Sequence, residues 1–205
     1  MLKRTHMRNT PYREHCHRGF SIIELMIVVV VGIILTAMAI PTFRTIQRNL
    51  RTGGDARDIN GEIVLAKMRA ASDFTKARVY ADLSGQTFHI DVWDKSGSGS
   101  WGIEGGTQPL SQDVTWGYGS LSSPPSGTTI GQAPACLDNS GTAITNTACI
   151  VFNSRGIPVD STGTPTANGV FYITDGSSVY SVTVSATGLI QTWRSGTDAA
   201  NWQKR

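Results

Sequence analysis

The sequence has few of the side chains from which active sites and metal centres are built. Histidine occurs four times in 205 residues, and only His89 lies after residue 19. There is no nucleophile motif such as G-x-S-x-G with suitable partners, and there is no phosphate-binding loop. These absences predict a protein that is not an enzyme, has no catalytic residues and needs no cofactor.

Two groups of acidic residues could still form a site: Asp55, Asp58 and Glu62, and Asp91, Asp94 and Glu104. The first group lies on a predicted helix, where ordinary charge on a solvated face explains it. The second group lies near glycine-containing loops and could hold calcium, but its spacing does not match an EF-hand. We therefore predict no metal site.

Charged residues are also absent from Phe20 to Ile40, with Glu24 as the one exception. As a helix, these 21 residues span roughly 30 Å, the thickness of the hydrocarbon core of a bilayer. A secretory signal has a shorter apolar core that ends at a small-residue cleavage site. The segment therefore predicts a membrane helix, and its costly carboxylate at Glu24 predicts a functional partner.

Basic residues dominate the segment before Gly19, with five Lys and Arg against one acid. By the positive-inside rule, this end stays in the cytoplasm and the rest of the chain lies outside. Loss of residues 1–19 would change the formal net charge from +3 to −1. The basic character of the chain thus belongs to the N-terminal segment. A role of these basic residues in membrane orientation explains them better than nucleic-acid binding does.

Cysteine is scarce, with Cys16 in the basic segment and the pair Cys136 and Cys149 in the part predicted to be outside. An even pair in an oxidising compartment favours a disulfide, with two free buried thiols as the alternative. The disulfide would close a loop of twelve intervening residues and stabilise the fold by about 3 kcal/mol. Zinc is disfavoured because nothing places His89 near either cysteine.

The chain continues as an amphipathic helix whose apolar stripe consists of Ile59, Ile63, Ala66 and Ala70. Gly53 and Gly54 each lower helix stability by about 1 kcal/mol, and Asp55 could cap a restart. We therefore expect a long helix that is weakened or broken at these glycines.

Beyond Ala77 the period falls to two. Residues 86–93 and 178–185 alternate apolar with polar, residues 148–153 form an apolar run, and residues 189–193 form a final strand. Hairpin turns are predicted at residues 83–86, 174–177 and 186–188. These patterns predict half-buried antiparallel strands.

Two segments rich in Gly, Ser, Thr and Pro, residues 95–106 and 118–134, lack a clean period and predict surface loops. Such loops are either functional or simply connecting. The five tryptophans lie at predicted strand ends and in loops: Trp93, Trp101, Trp116, Trp193 and Trp202. We expect core and rim packing for them, with a sugar-binding or base-stacking platform as the alternative.

The predicted fold class is α+β, with a long N-terminal helix packed on an antiparallel sheet. Its segments are a leader (residues 1–19), a membrane-spanning helix (20–41), an amphipathic continuation of the helix (42–76) and a β-rich part that we call the head (77–205). One soluble domain is therefore carried on one membrane-crossing helix.

The N-terminal segment resembles the class III signal of type IV pilins and pseudopilins. The resemblance rests on a basic leader that ends at Gly19, then Phe20, Ser21 where threonine is commoner, Glu24, and an apolar helix up to Pro41. The head is similar to the GspH/FimT group in three segments, at residues 69–71, 150–156 and 182–188. Residues 95–145 have no recognised counterpart.

This resemblance implies that a prepilin peptidase cuts between Gly19 and Phe20 and methylates the new amine of Phe20. It also implies that Glu24 pairs with such an amine on a neighbouring pilin or pseudopilin subunit, with a snorkelling or protonated Glu24 as the alternative. Pro41 removes a helical hydrogen bond, so it either bends the helix or ends its membrane part.

The expected protein is a minor pilin or pseudopilin of the bacterial inner membrane with its head in the periplasm. Both type IV pili and type II secretion pseudopili use this signal, so the residues do not distinguish the two. A DNA-binding minor pilin for DNA uptake is the alternative. Some FimT-like proteins bind DNA through arginines after a glycine, but Gly188 is followed by Leu189, Ile190 and Gln191, which argues against a nucleic-acid partner.

Overall fold

A computed structural model describes residues 19–96, 99–125, 127–197 and 201–205. The predicted leader up to residue 18, including Cys16, lies outside the described residues. The chain forms two compact units, Met1–Phe43 and Arg44–Arg205. Each unit is described by itself below.

Helix α1 begins at Ile22 in the first unit and ends at Ser72 in the second. The helix begins with a hydrogen bond from the Leu25 amide to the Ser21 carbonyl oxygen at 3.1 Å. It is long and apolar enough to cross a membrane, by length and composition. The helical assignment continues through Pro41, whose side chain lies outside the described part.

Of the two expectations for Gly53 and Gly54, a weakened or a broken helix, the break is wrong, because α1 is continuous there. Tertiary contacts hold the helix at this point. The Thr52 hydroxyl donates to Asp175 Oδ2 at 3.0 Å, and Gly53 lies against the ring of Tyr180. Asp55 does not cap a restart, since its carboxylate accepts hydrogen bonds from the amide and hydroxyl of Ser111.

Within the described residues, ten strands follow α1: β1 Ala77–Asp82, β2 Thr87–Trp93, β3 Trp101–Pro109, β4 Thr115–Trp116, β5 Thr147–Phe152, β6 Pro158–Val159, β7 Gly169–Thr174, β8 Ser178–Val184, β9 Ile190–Gly196 and β10 Gln203–Lys204. They form two antiparallel sheets. The first sheet has the order β3-β2-β1-β5-β6, and the second has the order β10-β9-β8-β7-β4. The predicted α+β class with a long helix and an antiparallel head is confirmed.

The core lies between the apolar stripe of α1 and the inner faces of the two sheets. The four predicted stripe residues are fully buried: Ile59, Ile63, Ala66 and Ala70. In β2, Phe88 and Ile90 point into this core, and in β8, Val182 and Val184 do the same. The predicted periods of the helix and of these strands are therefore confirmed. The prediction that the strands are half-buried is wrong for β8, because Ser181 and Thr183 on its other face are buried as well.

The structure corrects the loop predicted for residues 95–106, because Trp101–Pro109 is strand β3 at the edge of the first sheet. Gly105 and Gly106 have φ angles of 80° and 90°, and the pairing with β2 shifts register between Phe88 and Ile90. This irregularity removes the alternation by which a strand is recognised in sequence. Strand β7 has no alternation for another reason, since it is buried along its whole length.

Candidate assembly segment and surface sites of the head

The predicted processing site lies immediately before α1. Gly19 has open space where a side chain would begin, and 81% of Phe20 is exposed. Glu24 lies in the first turn of α1, where the positive end of the helix dipole favours a carboxylate. A short segment with an open glycine thus precedes a helix whose first turn carries one exposed acid.

The apolar residues that follow Glu24 have no partners in the described structure. The large hydrophobic side chains described between Phe20 and Phe43 are strongly exposed, from 48% at Val31 to 84% at Ile22. An apolar surface of this extent is covered by lipid or by other protein in any stable state. The Thr36 hydroxyl donates a hydrogen bond to the carbonyl oxygen of Gly32 within the helix at 2.9 Å. This hydroxyl therefore needs no polar partner outside the helix.

In the head, Cys136 and Cys149 form the predicted disulfide, with their Cα atoms 4.9 Å apart. Backbone hydrogen bonds support the same connection, since the Cys149 amide donates to the Pro134 carbonyl oxygen at 2.8 Å. The Cys136 amide donates to the Thr147 hydroxyl at 3.0 Å. The disulfide therefore fastens the segment between the two cysteines, which we call the disulfide loop, onto β5.

Beneath this loop lies a buried ionic cluster on the outer face of the first sheet. Arg78 Nε donates to Asp91 Oδ2 at 2.8 Å, and Arg78 Nη1 donates to the Leu137 carbonyl oxygen at 2.6 Å. His89 Nε2 lies 3.1 Å from Asp91 Oδ1. Burial opposes ionisation of Asp91, but the hydrogen bonds from His89 and Arg78 outweigh it and lower its pKa.

The acidic residues considered as a calcium site do not converge. Asp91 is engaged by Arg78, Asp94 accepts two hydrogen bonds from Ser96, and Glu104 pairs with Arg69. Among the described residues, no group of three or more metal-type ligands is present. Of the acids expected on a solvated helix face, Asp55 is instead buried.

The surface depressions of the second unit include two that combine charged side chains with aromatic ones. The first, which we call the tryptophan cleft, has a volume of about 430 Å³ and is lined by Trp93, Trp101 and parts of the disulfide loop. The second, which we call the arginine groove, has a volume of about 630 Å³, and its lining includes Arg57, Arg194 and Arg205. Sequence analysis did not predict either one, because each combines residues from distant parts of the chain.

An exposed apolar helix with an early carboxylate, together with an antiparallel head carrying a disulfide, defines a pilin-like protein. The prokaryotic N-terminal methylation motif matches residues 15–40. The family described as type II transport protein GspH matches residues 55–188. The chain belongs to the GspH family.

Solved structures with a similar fold include the minor pseudopilin EpsH from the type 2 secretion system of Vibrio cholerae. It has 10% identity and a TM-score of 0.44, with 69% of this chain and 95% of that chain covered. The type IV minor pilin FimU of Pseudomonas aeruginosa has 15% identity and a TM-score of 0.44, with 78% of this chain and 95% of that chain covered. Among curated protein sequences, none matches the chain.

Proposed function

We propose that this chain is a minor pilin or pseudopilin that is cut between Gly19 and Phe20 and then assembled into a filament through its N-terminal helix. The observation that carries the proposal is the fully exposed apolar surface of α1 between Ile22 and Ile40, which begins next to Glu24. Lipid covers this surface while the chain is in the membrane, and the helices of neighbouring subunits cover it in a filament.

In this proposal a prepilin peptidase frees the amine of Phe20 and methylates it, so that the mature chain begins with a cation. Glu24 of a neighbouring subunit then pairs with this amine. In a bundle of apolar helices, an unpaired carboxylate is costly, and an opposite charge offsets much of that cost. The pair therefore sets the register between neighbours, since any other register leaves both charges without a partner.

We further propose a division of labour along the chain. Residues 1–19 form the cleaved leader, residues 20–41 the filament core, residues 42–76 the part of the helix that carries the head, and residues 77–205 the head itself. The burial of Ile59 and Ile63 against both sheets supports the third assignment. Pro41 is proposed as a point where the helix bends between the bundle and the head.

The proposed location is the bacterial inner membrane, with one crossing and the head in the periplasm before assembly. The excess of basic residues before Gly19 supports this orientation. The disulfide between Cys136 and Cys149 also supports it, because such bonds persist in oxidising compartments.

Mass spectrometry of the mature protein tests the processing step, with a chain that begins at N-methylated Phe20 as the expected result. Assembly is tested by expressing Glu24→Ala in the native bacterium and recovering sheared filaments or the pseudopilus fraction. We expect the variant to be processed, present in the membrane and missing from filaments. Glu62→Ala, which removes a carboxylate outside the proposed filament core (residues 20–41), is the matched control. Normal recovery of Glu24→Ala in filaments would contradict the proposed register.

A second candidate function, DNA capture, is favoured by the arginine groove. Arg57 from α1, Arg194 from β9 and Arg205 lie around the same depression. The Arg194 guanidinium also donates through Nη2 to Asn49 Oδ1 at 3.3 Å, which fixes its position at the groove. Three guanidinium groups around one open depression suit phosphate oxygens.

A gel shift with the full chain in detergent tests this candidate. Binding through the groove predicts salt-sensitive retention of duplex DNA that is lost in Arg57→Ala and Arg194→Ala. Arg155→Ala, which removes an exposed cation elsewhere on the head, should leave such binding unchanged. Absence of a shift at low salt would remove DNA capture and leave assembly as the only proposed function.

A further inference from the structure

The tryptophan cleft lies on the outer face of the first sheet. Ala77 and Val79 of β1 point into the core, so the intervening Arg78 points to the opposite face. Its neighbours in the cleft are Trp93 at the end of β2 and Trp101 at the start of β3. The volume of about 430 Å³ falls within the range of small-ligand sites, about 300 to 1,000 Å³.

The two tryptophans form an angled aromatic wall. Their ring centroids are 5.1 Å apart, with 73° between the ring planes. The Arg78 guanidinium lies 4.2 Å from the centroid of Trp101 and is itself held by Asp91. The Arg78 guanidinium therefore covers one face of the Trp101 indole and helps to fix the ring in the cleft.

Between the described residues, the indole N–H groups of this wall make no hydrogen bond. Trp193 donates to the Thr183 hydroxyl at 3.1 Å, and Trp202 donates to the Ser123 carbonyl oxygen at 2.9 Å. Within the described part of the chain, neither Trp93 nor Trp101 makes a comparable hydrogen bond through its indole. The cleft thus presents two donors beside an apolar surface, as expected for a wall that meets a polar ligand.

Two copies of one turn form the polar rim of the cleft. Residues 138–142 and 160–164 share the pattern D-x-[ST]-G-T, and the glycine has a φ of 86° in both. In each turn the Oδ1 atom of the aspartate accepts three hydrogen bonds from the residues two and four positions later: Ser140 and Thr142 in one, Thr162 and Thr164 in the other. The second carboxylate oxygen of each aspartate accepts none in the described structure.

These hydrogen bonds keep both rim carboxylates ionised. The pKa of Asp138 is lowered chiefly by the hydrogen bond from the Ser140 side chain. The pKa of Asp160 is lowered in the same way by Thr162. Two ionised acceptors therefore stand beside two indole donors and an apolar wall at neutral pH.

We propose that the tryptophan cleft binds a short neutral oligosaccharide. A pyranose ring has an apolar C–H face, which suits an indole, and a rim of hydroxyls, which donate to carboxylates and accept from N–H groups. Lys76 and Arg78 line the cleft together with Asp138 and Asp160, so the lining has no excess of positive charge to attract a nucleic acid and suits a neutral ligand. A peptide added as a strand requires a free sheet edge, whereas this cleft lies on a sheet face.

The test is a titration of the full chain in a zwitterionic detergent, because the headgroups of alkyl glycosides would compete. Maltohexaose and chitohexaose are the probes, and saturation-transfer NMR together with tryptophan fluorescence reports binding. At least one probe should bind saturably. Trp93→Ala and Trp101→Ala should weaken binding about tenfold, which corresponds to about 1.4 kcal/mol.

Trp193→Ala is the matched control, since it removes an indole from the second sheet and should leave binding within about twofold of wild type. Asp138→Asn and Asp160→Asn test the rim: the amide oxygen of asparagine can maintain each turn, but the ionised acceptor is lost, so binding should weaken while the melting temperature stays close to wild type. Failure of both saccharides to bind at millimolar concentration would overturn the proposal. Binding that survives in both cleft tryptophan variants would overturn it as well, as would exclusive binding of a blocked diphenylalanine peptide.

Discussion

Arg78 and Asp91 form an ion pair across β1 and β2, in which Nε and Nη2 of Arg78 each lie 2.8 Å from Oδ2 of Asp91. Only 5% and 4% of the two side chains are exposed. The same guanidinium reaches the carbonyl oxygen of Leu137, so the pair connects the first sheet to the disulfide loop. Loss of Asp91 leaves the buried guanidinium of Arg78 without its carboxylate partner, whereas loss of Arg78 leaves Asp91 with His89 alone.

The first prediction concerns the stability that depends on this pair. Asp91→Ala should lower the free energy of unfolding by about 3 kcal/mol, because an unpaired guanidinium would remain buried. Denaturant unfolding followed by circular dichroism measures the change. The double variant Arg78→Met with Asp91→Leu is the control, and it should lose much less, since no charge remains. If the single and double variants lose equal free energies of unfolding, the loss arises from packing and not from the unpaired charge.

The pH dependence of stability provides a second prediction. Burial raises the pKa of Asp91, but hydrogen bonds from His89 and Arg78 and the Arg78 charge hold it below the ordinary value of 3.8. A carboxyl with a lowered folded pKa stabilises the fold above its unfolded pKa, and this contribution is lost as pH falls through the folded pKa. Below about pH 4, wild type should therefore lose stability more steeply than Asp91→Asn. If the free energy of unfolding falls in parallel for the two proteins from neutral to acidic pH, the lowered pKa of Asp91 is contradicted.

The third prediction compares Gly53 and Gly54, which are neighbours on the same helix. A Cβ at Gly54 would meet no atom within 4 Å, whereas a Cβ at Gly53 would lie 3.2 Å from Tyr180 Oη. Gly54→Ala should therefore raise the free energy of unfolding by about 1 kcal/mol, the difference in helix propensity. Gly53→Ala should gain less, because Tyr180 must move.

A double-variant cycle isolates the contact between Gly53 and Tyr180. In a Tyr180→Phe background the hydroxyl is gone, so Gly53→Ala should recover most of the gain seen for Gly54→Ala. Gly54→Ala should be unaffected by the same background. If Gly53→Ala changes the free energy of unfolding equally in both backgrounds, the contact with the Tyr180 hydroxyl does not reduce the gain from alanine at position 53.

The fourth prediction concerns the disulfide between Cys136 and Cys149. Replacement of both cysteines by alanine should lower the free energy of unfolding by about 3 kcal/mol, the value for a loop of this length. Reductant should have a similar effect on wild type and little effect on the double variant, which serves as its control. In the double variant, tryptophan fluorescence should change early in unfolding. The disulfide loop lines the tryptophan cleft, so release of this loop changes the surroundings of the indoles.

Local periodicity explains which parts of the fold were predictable. The helical period identifies the core-facing stripe Ile59, Ile63, Ala66 and Ala70, and the alternation in β2 and β8 identifies the apolar side chains of these strands that face the core. Strand β3 was missed because Gly105 and Gly106 adopt positive φ angles. Strand β7 was missed because both of its faces are buried.

The surface sites depend on register and sheet order, which periodicity does not provide. Arg78 meets Asp91 because β1 and β2 pair in one register, and sequence reasoning assigned Asp91 to a possible calcium site instead. The repeated D-x-[ST]-G-T pattern is visible in the sequence, but its two copies lie 22 positions apart. They face the same cleft only because the disulfide and β6 bring them there.

The fifth prediction compares Gly176 and Gly188, which occupy hairpin turns with φ angles of 82° and 78°. Gly176→Ala should cost about 1 to 2 kcal/mol, the penalty for a side chain in the left-handed region, because a Cβ there meets nothing within 4 Å. A Cβ at Gly188 would also lie 2.8 Å from the Gly156 carbonyl oxygen.

Gly188→Ala should therefore cost clearly more than Gly176→Ala, since backbone atoms must move and the bond from Lys67 Nζ to the Gly188 carbonyl oxygen, 2.9 Å long, would be disturbed. Denaturant unfolding of both variants provides the comparison. Lys67→Met removes the hydrogen bond but keeps most of the aliphatic chain. The cost of Gly188→Ala that remains in that background contains the penalty for the left-handed backbone and the clash with Gly156, and subtraction of the Gly176→Ala cost leaves the clash. Equal costs for the two glycine substitutions in wild type would mean that the turn shifts away from Gly156 without loss of stability.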